Sequence, residues 1–143
     1  MSSPEFRAII LGTLAAQWSQ TVFYDASEYT DLAQIPVSDE PWLLVRFIDE
    51  RESLATIATD GAHGWESIGT FAFDLFMPTG EDSARALAWG EQLRALFRGR
   101  RFGSFIIDAL NPFTDAYGAA TRIGKWHGWT ALGSYYNVIC NGP

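Results

Sequence analysis

The chain has 143 residues, of which 48% are hydrophobic and 19% charged, the size and composition of one folded domain and not of a disordered chain. Its formal net charge of −7 disfavours tight binding to the phosphates of DNA or RNA. A single cysteine, Cys140, excludes an intrachain disulfide. With only two histidines present, it also excludes a four-ligand Cys/His zinc site.

The negative charge belongs to the first part of the chain. Residues 1–60 hold ten Asp or Glu and three Lys or Arg, whereas residues 61–143 hold seven of each. An acidic surface of this kind still permits a face past which nucleic acid slides without sticking, or a patch that meets a basic neighbour. The aromatic fraction of 15% is high for one small core, so we expect some rings at a protein interface.

The first predicted element is an amphipathic helix. Ser3 is its expected N-cap, Pro4 its first residue and Trp18 its approximate end, with apolar residues at helical spacing between them. The following segment, Ser19–Glu40, is polar and rich in turn residues. We expect a long loop that serves as a binding arm, with a short strand at Thr21–Tyr24.

Three strands are predicted next. Trp42–Ile48 forms the first, and the charged run Asp49–Glu52 is read as a solvated turn, with cation binding as the alternative. Ser53–Thr59 forms the second strand, and Asp60–Gly64 a glycine-bearing turn. The third strand alternates clearly, and its expected core face consists of Gly69, Phe71, Phe73, Leu75 and Met77.

A second helix is predicted at about Asp82–Arg98, with Gly99 as its stop signal. Late strands are expected at Ser104–Leu110, Ala119–Trp126 and Trp129–Cys140, the last two joined by a turn at His127-Gly128. Runs of strands with only two helices predict a single α+β domain over residues 1–143. Its sheet should be mainly antiparallel, with both helices packed on one face.

The sequence contains no recognisable catalytic motif. Ser67 lacks the first glycine of a hydrolase elbow, and the turn Pro78–Ser83 has one glycine and two acids where a phosphate loop needs glycines and a lysine. His63 has no identifiable partner for general-base catalysis. We therefore expect binding and assembly, no enzymatic activity, no cofactor and no metal.

Basic and aromatic residues supply the candidate interface. Four arginines at the end of the second helix would contact phosphates or an acidic neighbouring subunit, or only complement the helix dipole. Arg122 and Lys125 interleave with two tryptophans, a pattern that stacks nucleobases or sugars, although packing or a protein interface fits the acidic balance better. The predicted inter-subunit residues are Arg94, Arg98, Arg100, Arg101, Trp126 and Trp129.

One segment resembles a known family. The strand Gly69–Gly80, which ends in Pro-Thr-Gly, leads into the helix Ser83–Phe97, and a strand of the type Pro-Trp-Leu-Leu-Val-Arg-Phe precedes both. This order over about residues 5–140 resembles the tail terminator family of long-tailed phages and phage-tail-like particles. Glu81 and Asp82 stand where family members often have more glycine.

The resemblance implies a structural role in a virion. Six copies would form a ring on the head-proximal end of the tail tube, stop tube growth and dock the head connector, while DNA passes through without specific binding. The family has no catalytic residues, and assembly would take place in the bacterial cytoplasm, since neither a signal peptide nor a membrane span is predicted. Three alternatives remain: another tail or neck subunit, a ligand-binding domain that uses Trp126 and Trp129, and an enzyme that uses His63.

Overall fold

The computed structural model describes residues 4–31, 34–35, 39–57, 63–78, 83–115, 122–123 and 126–141, and side chains only outside 52–66, 122–123 and 138–141. The predicted N-cap Ser3, the residues 60–62 of the predicted turn and the segment 79–82 lie outside the described residues. Two helices, α1 (Pro4–Gln17) and α2 (Ser83–Phe97), accompany the sheet. Both match the predicted helices to within about one residue at each described end.

A curled mixed sheet makes up most of the domain. Its strand order is β1-β2-β3-β8-β5-β4, and β6 and β7 also pair with β8. Its strands are β1 (Val22–Asp25), β2 (Trp42–Ile57), β3 (His63–Pro78), β4 (Arg101–Phe102), β5 (Phe105–Leu110), β6 (Thr114–Asp115), β7 (Arg122–Ile123) and β8 (Trp126–Asn141).

The sheet is not purely antiparallel. β1 runs parallel to β2, with Val22 opposite Trp42 and Asp25 opposite Val45, whereas the other described ladders are antiparallel. A parallel pair needs a long crossover connection, and the segment from residue 26 to residue 41 provides it. This segment begins with a short 3₁₀ helix, Ala26–Glu28, whose N-cap Asp25 accepts a hydrogen bond from the Ser27 amide.

The predicted turn at Asp49–Glu52 is wrong, since these residues continue β2 and join the two strands predicted on either side of them. Irregularities between Phe47 and Asp49 and between Leu54 and Thr56 bend this single strand. Asp49 and Arg51 are exposed, and the half-buried Glu50 accepts a hydrogen bond from the Tyr135 hydroxyl, so a strand accommodates these charges near the sheet edge.

The predicted turn at His127-Gly128 is also wrong. Both residues lie inside β8, with Gly128 opposite Phe76. The connection from β7 to β8 falls at residues 124–125, outside the described part of the chain. Glycine in these strands provides space for rings: a Cβ added at Gly69 would lie 2.3 Å from the Tyr135 ring, and one at Gly133 would lie 2.5 Å from Phe71.

Two apolar clusters hold the sheet, one on each face. The expected core face of β3 is confirmed, because its residues from Phe71 to Met77 are buried with Phe6, Leu14 and Phe97 of the two helices. The opposite face carries a smaller cluster of Trp42, Leu44, Phe76, Trp126 and Ile35.

Aromatic stacking fills both clusters. Phe6 stacks on Tyr135 with centroids 3.5 Å apart, and Trp42 stacks on Phe76 at 4.2 Å. In the described part of the chain eleven aromatic side chains are buried, so packing within the subunit uses about half of the aromatic residues that the sequence holds.

The two described helical glycines make a matched pair for a stability test. A Cβ at Gly12 of α1 would meet nothing within 4 Å, whereas one at Gly90 of α2 would lie 2.6 Å from the Phe113 ring. We expect Gly12→Ala to stabilise the fold by about 0.5–1 kcal/mol, since alanine favours helix. Gly90→Ala should destabilise it by about 1–3 kcal/mol through overpacking. Urea unfolding measures both, and equal effects of the two changes would contradict this account of the α2 contact.

Candidate functional site

The predicted interface residues divide into two groups, and Arg94 belongs to the buried one. Its Nε donates to the Leu110 carbonyl oxygen at 3.0 Å, and its guanidinium pairs with Glu91 at 2.6 Å. The residue is only 8% exposed. Arg94 therefore connects α2 to the end of β5 within one subunit.

Trp126 is also buried, at the start of β8. Its ring contacts Trp42 edge-on with centroids 6.2 Å apart, inside the smaller apolar cluster. Trp129 is half-buried, packs against the larger cluster and stacks on His127 at 5.1 Å. His127 Nε2 in turn lies 2.6 Å from an Asp115 oxygen. Both tryptophans thus have partners within the subunit.

Arg98, Arg100 and Arg101 form an exposed group, which we call the basic edge. Arg100 donates to the Leu96 carbonyl oxygen and lies over the Phe102 ring, and Arg101 donates to the Gly103 carbonyl oxygen. No ion pair joins any of the three to a carboxylate in the described part of the chain.

Backbone geometry positions these arginines. α2 ends at Phe97, and Gly99 then takes φ +70°, as expected for the predicted helix stop. Gly103 takes φ +63° in the tight connection between β4 and β5. The amide of Ile107 donates to the carbonyl oxygen of Arg100, which fixes the turn against β5. The basic edge therefore sits on a defined corner of the sheet.

The opposite end of the sheet is acidic. β1 covers only Trp42–Val45 of β2, so within the described residues no strand pairs with the outer side of β2 from Arg46 onward. Beside this open stretch lie Glu28, Asp49 and Glu50, which we call the acidic edge. Thr70 donates to Asp49 at 2.6 Å, and the Tyr135 hydroxyl donates to Glu50 at 2.6 Å.

The sequence shows that residues 1–60 are acidic and residues 61–143 are neutral, but not where these charges lie in the fold. The strand order puts β1 and β2, which come from the acidic first part of the chain, at one end of the sheet, and β4 and β5 at the other. The two ends of the strand order thus differ in charge, with acidic side chains beside β2 at one end and exposed arginines beside β4 at the other.

Two ion pairs between a partly exposed arginine and a buried aspartate were not predicted from the sequence. Arg46 contacts the buried Asp74 through both oxygens, at 2.5 and 3.1 Å, and Thr130 donates to the same carboxylate at 2.7 Å. Arg7 of α1 pairs with Asp25 at the end of β1. Both tie neighbouring elements together, and the alternation of β3 gave the only signal, by placing Asp74 opposite the expected core face.

The residues considered for catalysis give no assembled centre in the described structure. Ser67 is buried in β3. His63 begins β3, and its side chain lies outside the described residues, as do those of Arg122 and Lys125. Among the described residues no group of three or more His, Cys, Asp or Glu side chains is placed to hold a metal ion.

No protein-family model matches this chain, and no curated protein matches it either. Neither described helix is long and apolar enough to cross a membrane. A functional proposal for this chain therefore rests on its own sequence and structure.

Arg94 in the last turn of α2 and Arg98 just after it allow the structural and surface roles to be separated. Arg94→Ala removes the donor to the Leu110 carbonyl, so we expect a loss of about 1–3 kcal/mol in the free energy of unfolding. Arg98→Ala, the matched control just after the helix, should change it by less than about 0.5 kcal/mol, because its side chain is exposed. Chemical unfolding at neutral pH measures both, and a neutral Arg94→Ala would contradict the internal role.

Proposed function

We propose that this chain is a virion structural protein, the subunit of a hexameric tail terminator ring. The ring stops polymerisation of the tail tube and joins the tail to the head connector. The protein works by assembly, and its partners are further copies of itself, the tube protein and the connector.

The length of β2, β3 and β8 is the observation that carries this proposal. Each has 16 residues, whereas α1 has 14 and α2 has 15. Strands of that length span roughly 50 Å, and the helices only roughly 21–23 Å. Neither helix alone therefore reaches half of the strand length. A sheet that is longer than either helix offers length along which a neighbouring subunit packs.

The order of elements supports this assembly. α1 comes first, then β2, the aromatic strand β3, α2 and the late strands, and this order over about residues 5–140 resembles the tail terminator family. Pro78 of the motif is the last residue of β3, and Gly80 follows it in the sequence before α2.

The excess of negative charge in the first part of the chain is compatible with the passage of DNA through a ring. Residues 1–60, which include α1, β1, β2 and the connection between the two strands, hold ten acids and three bases and so carry the excess of negative charge. Carboxylates that face a channel repel phosphates and let DNA slide without a specific contact. A ligand-binding domain, by contrast, would need Trp126 and Trp129 free to stack, and both rings are engaged in packing.

Capping of tail tubes tests the proposal directly. We expect tubes grown from the tube protein of the same particle to become shorter as this chain is added, and to carry one extra ring at a single end in electron micrographs. Light scattering over a concentration series should show a six-fold mass for the free ring or for the ring released from tubes.

An unrelated acidic protein of equal size serves as the control and should leave tube length unchanged. Long stacks formed by this chain alone would instead identify a tube subunit. Tubes of unchanged length without an added ring would refute the terminator role.

A further inference from the structure

We propose that copies of this chain associate head to tail, with the acidic edge of one copy (Glu28, Asp49 and Glu50) against the basic edge of the next (Arg98, Arg100 and Arg101). This inference rests on the proposed function, since it names the contact through which the ring closes. The occupant of each edge is a second copy of the same chain.

The basic edge has cations in excess. Residues 98–110 hold three arginines and one acid, Asp108. The arginines are exposed, and their described hydrogen bonds go to backbone carbonyl oxygens, which leave the positive charge uncompensated. The outer side of β5 is engaged within the subunit, because the Ile107 amide donates to the Arg100 carbonyl oxygen and the Leu110 carbonyl oxygen accepts from Arg94. The exposed charges, and not open backbone, therefore define this edge.

The acidic edge is its complement. Asp49 and Glu28 are exposed, and Glu50 is half-buried beneath the Tyr135 hydroxyl. Residues 49–52 hold three acids and one base, Arg51, and so keep a net negative charge. The backbone of β2 is open on its outer side from Arg46 onward within the described residues. An open strand beside unlike charge is a site at which another chain pairs.

The placement of the two edges decides the symmetry of the contact. They lie at opposite ends of the strand order β1-β2-β3-β8-β5-β4, and the like charge within each patch disfavours a contact in which a patch faces its own copy across a two-fold axis. A contact between unlike patches is heterologous and forms rings when the rotation closes. Nucleic acid is the rival occupant of the arginines, and the net charge of −7 opposes it.

Two charge-reversal variants test the contact. One reverses the acidic edge with Glu28→Arg and Asp49→Arg, and the other reverses the basic edge with Arg98→Glu and Arg101→Glu. All four side chains are exposed, so both variants should fold. Thermal unfolding checks this, and sedimentation or light scattering at low ionic strength measures self-association.

We expect each variant alone to associate at least about tenfold more weakly than the unchanged chain, because each then carries edges of like charge. An equimolar mixture should recover association, since one variant has two basic edges and the other two acidic edges. Such a mixture closes only into rings with an even number of subunits, and the assembled material should contain the variants in equal amounts.

Glu5→Arg is the control, since it reverses one exposed acid of α1 outside the acidic edge and should leave association unchanged. Three results would overturn the inference: an unchanged chain that stays monomeric at high concentration and low salt, variants that associate normally, or a mixture that does not recover. Binding of a DNA duplex that the arginine variant loses would assign the basic edge to nucleic acid instead.

Failure of this contact and failure of the proposed function are distinguishable. Rings that obey the charge reversal but leave tube length unchanged would retain the contact and refute the terminator role. Capping by both separate variants would retain the role and refute the contact.

Discussion

The structure depends on β3, which lies between β2 and β8 and is buried on both faces. Its aromatic face, Phe71 and Phe73, packs under both helices, and Phe76 on the other face packs with Trp42. A strand buried on two sides needs cover on both, and the crossover from β1 to β2 supplies the second layer through Ile35. The connection that makes β1 parallel to β2 is thus also a packing element.

The edge strands of the same sheet are short, since β1 pairs only with Trp42–Val45 of β2 and β4 pairs only with Phe105 and Ile106 of β5. Natural proteins protect open edges with charge, and here the two ends carry charges of opposite sign. Charge that keeps like edges from pairing with each other also attracts unlike edges. The charged edges are therefore the surfaces through which the proposed assembly would form.

Local periodicity predicted the helices, the short strand near residues 22–25 and the core face of β3, because each is specified by spacing along one segment. It failed at Asp49–Glu52 and at His127-Gly128, where charge and glycine are typical of turns. Pairing partners far along the chain decided otherwise: β3 continues beside the charged run, and β8 continues opposite Phe76. Sequence also could not separate Arg94 from Arg98, since only the position of Leu110 makes the first an internal donor.

A head-to-tail contact has a consequence for how growth ends. In an open row of subunits one acidic and one basic edge always remain free, so lateral addition continues. Closure joins the last free edges, and the ring has no edge left for another copy. The edge charges then lie between subunits, and only the two flat sides of the ring remain to meet the tube and the connector. A subunit whose attractive surfaces are used up by closure is therefore suited to form one ring and not a filament.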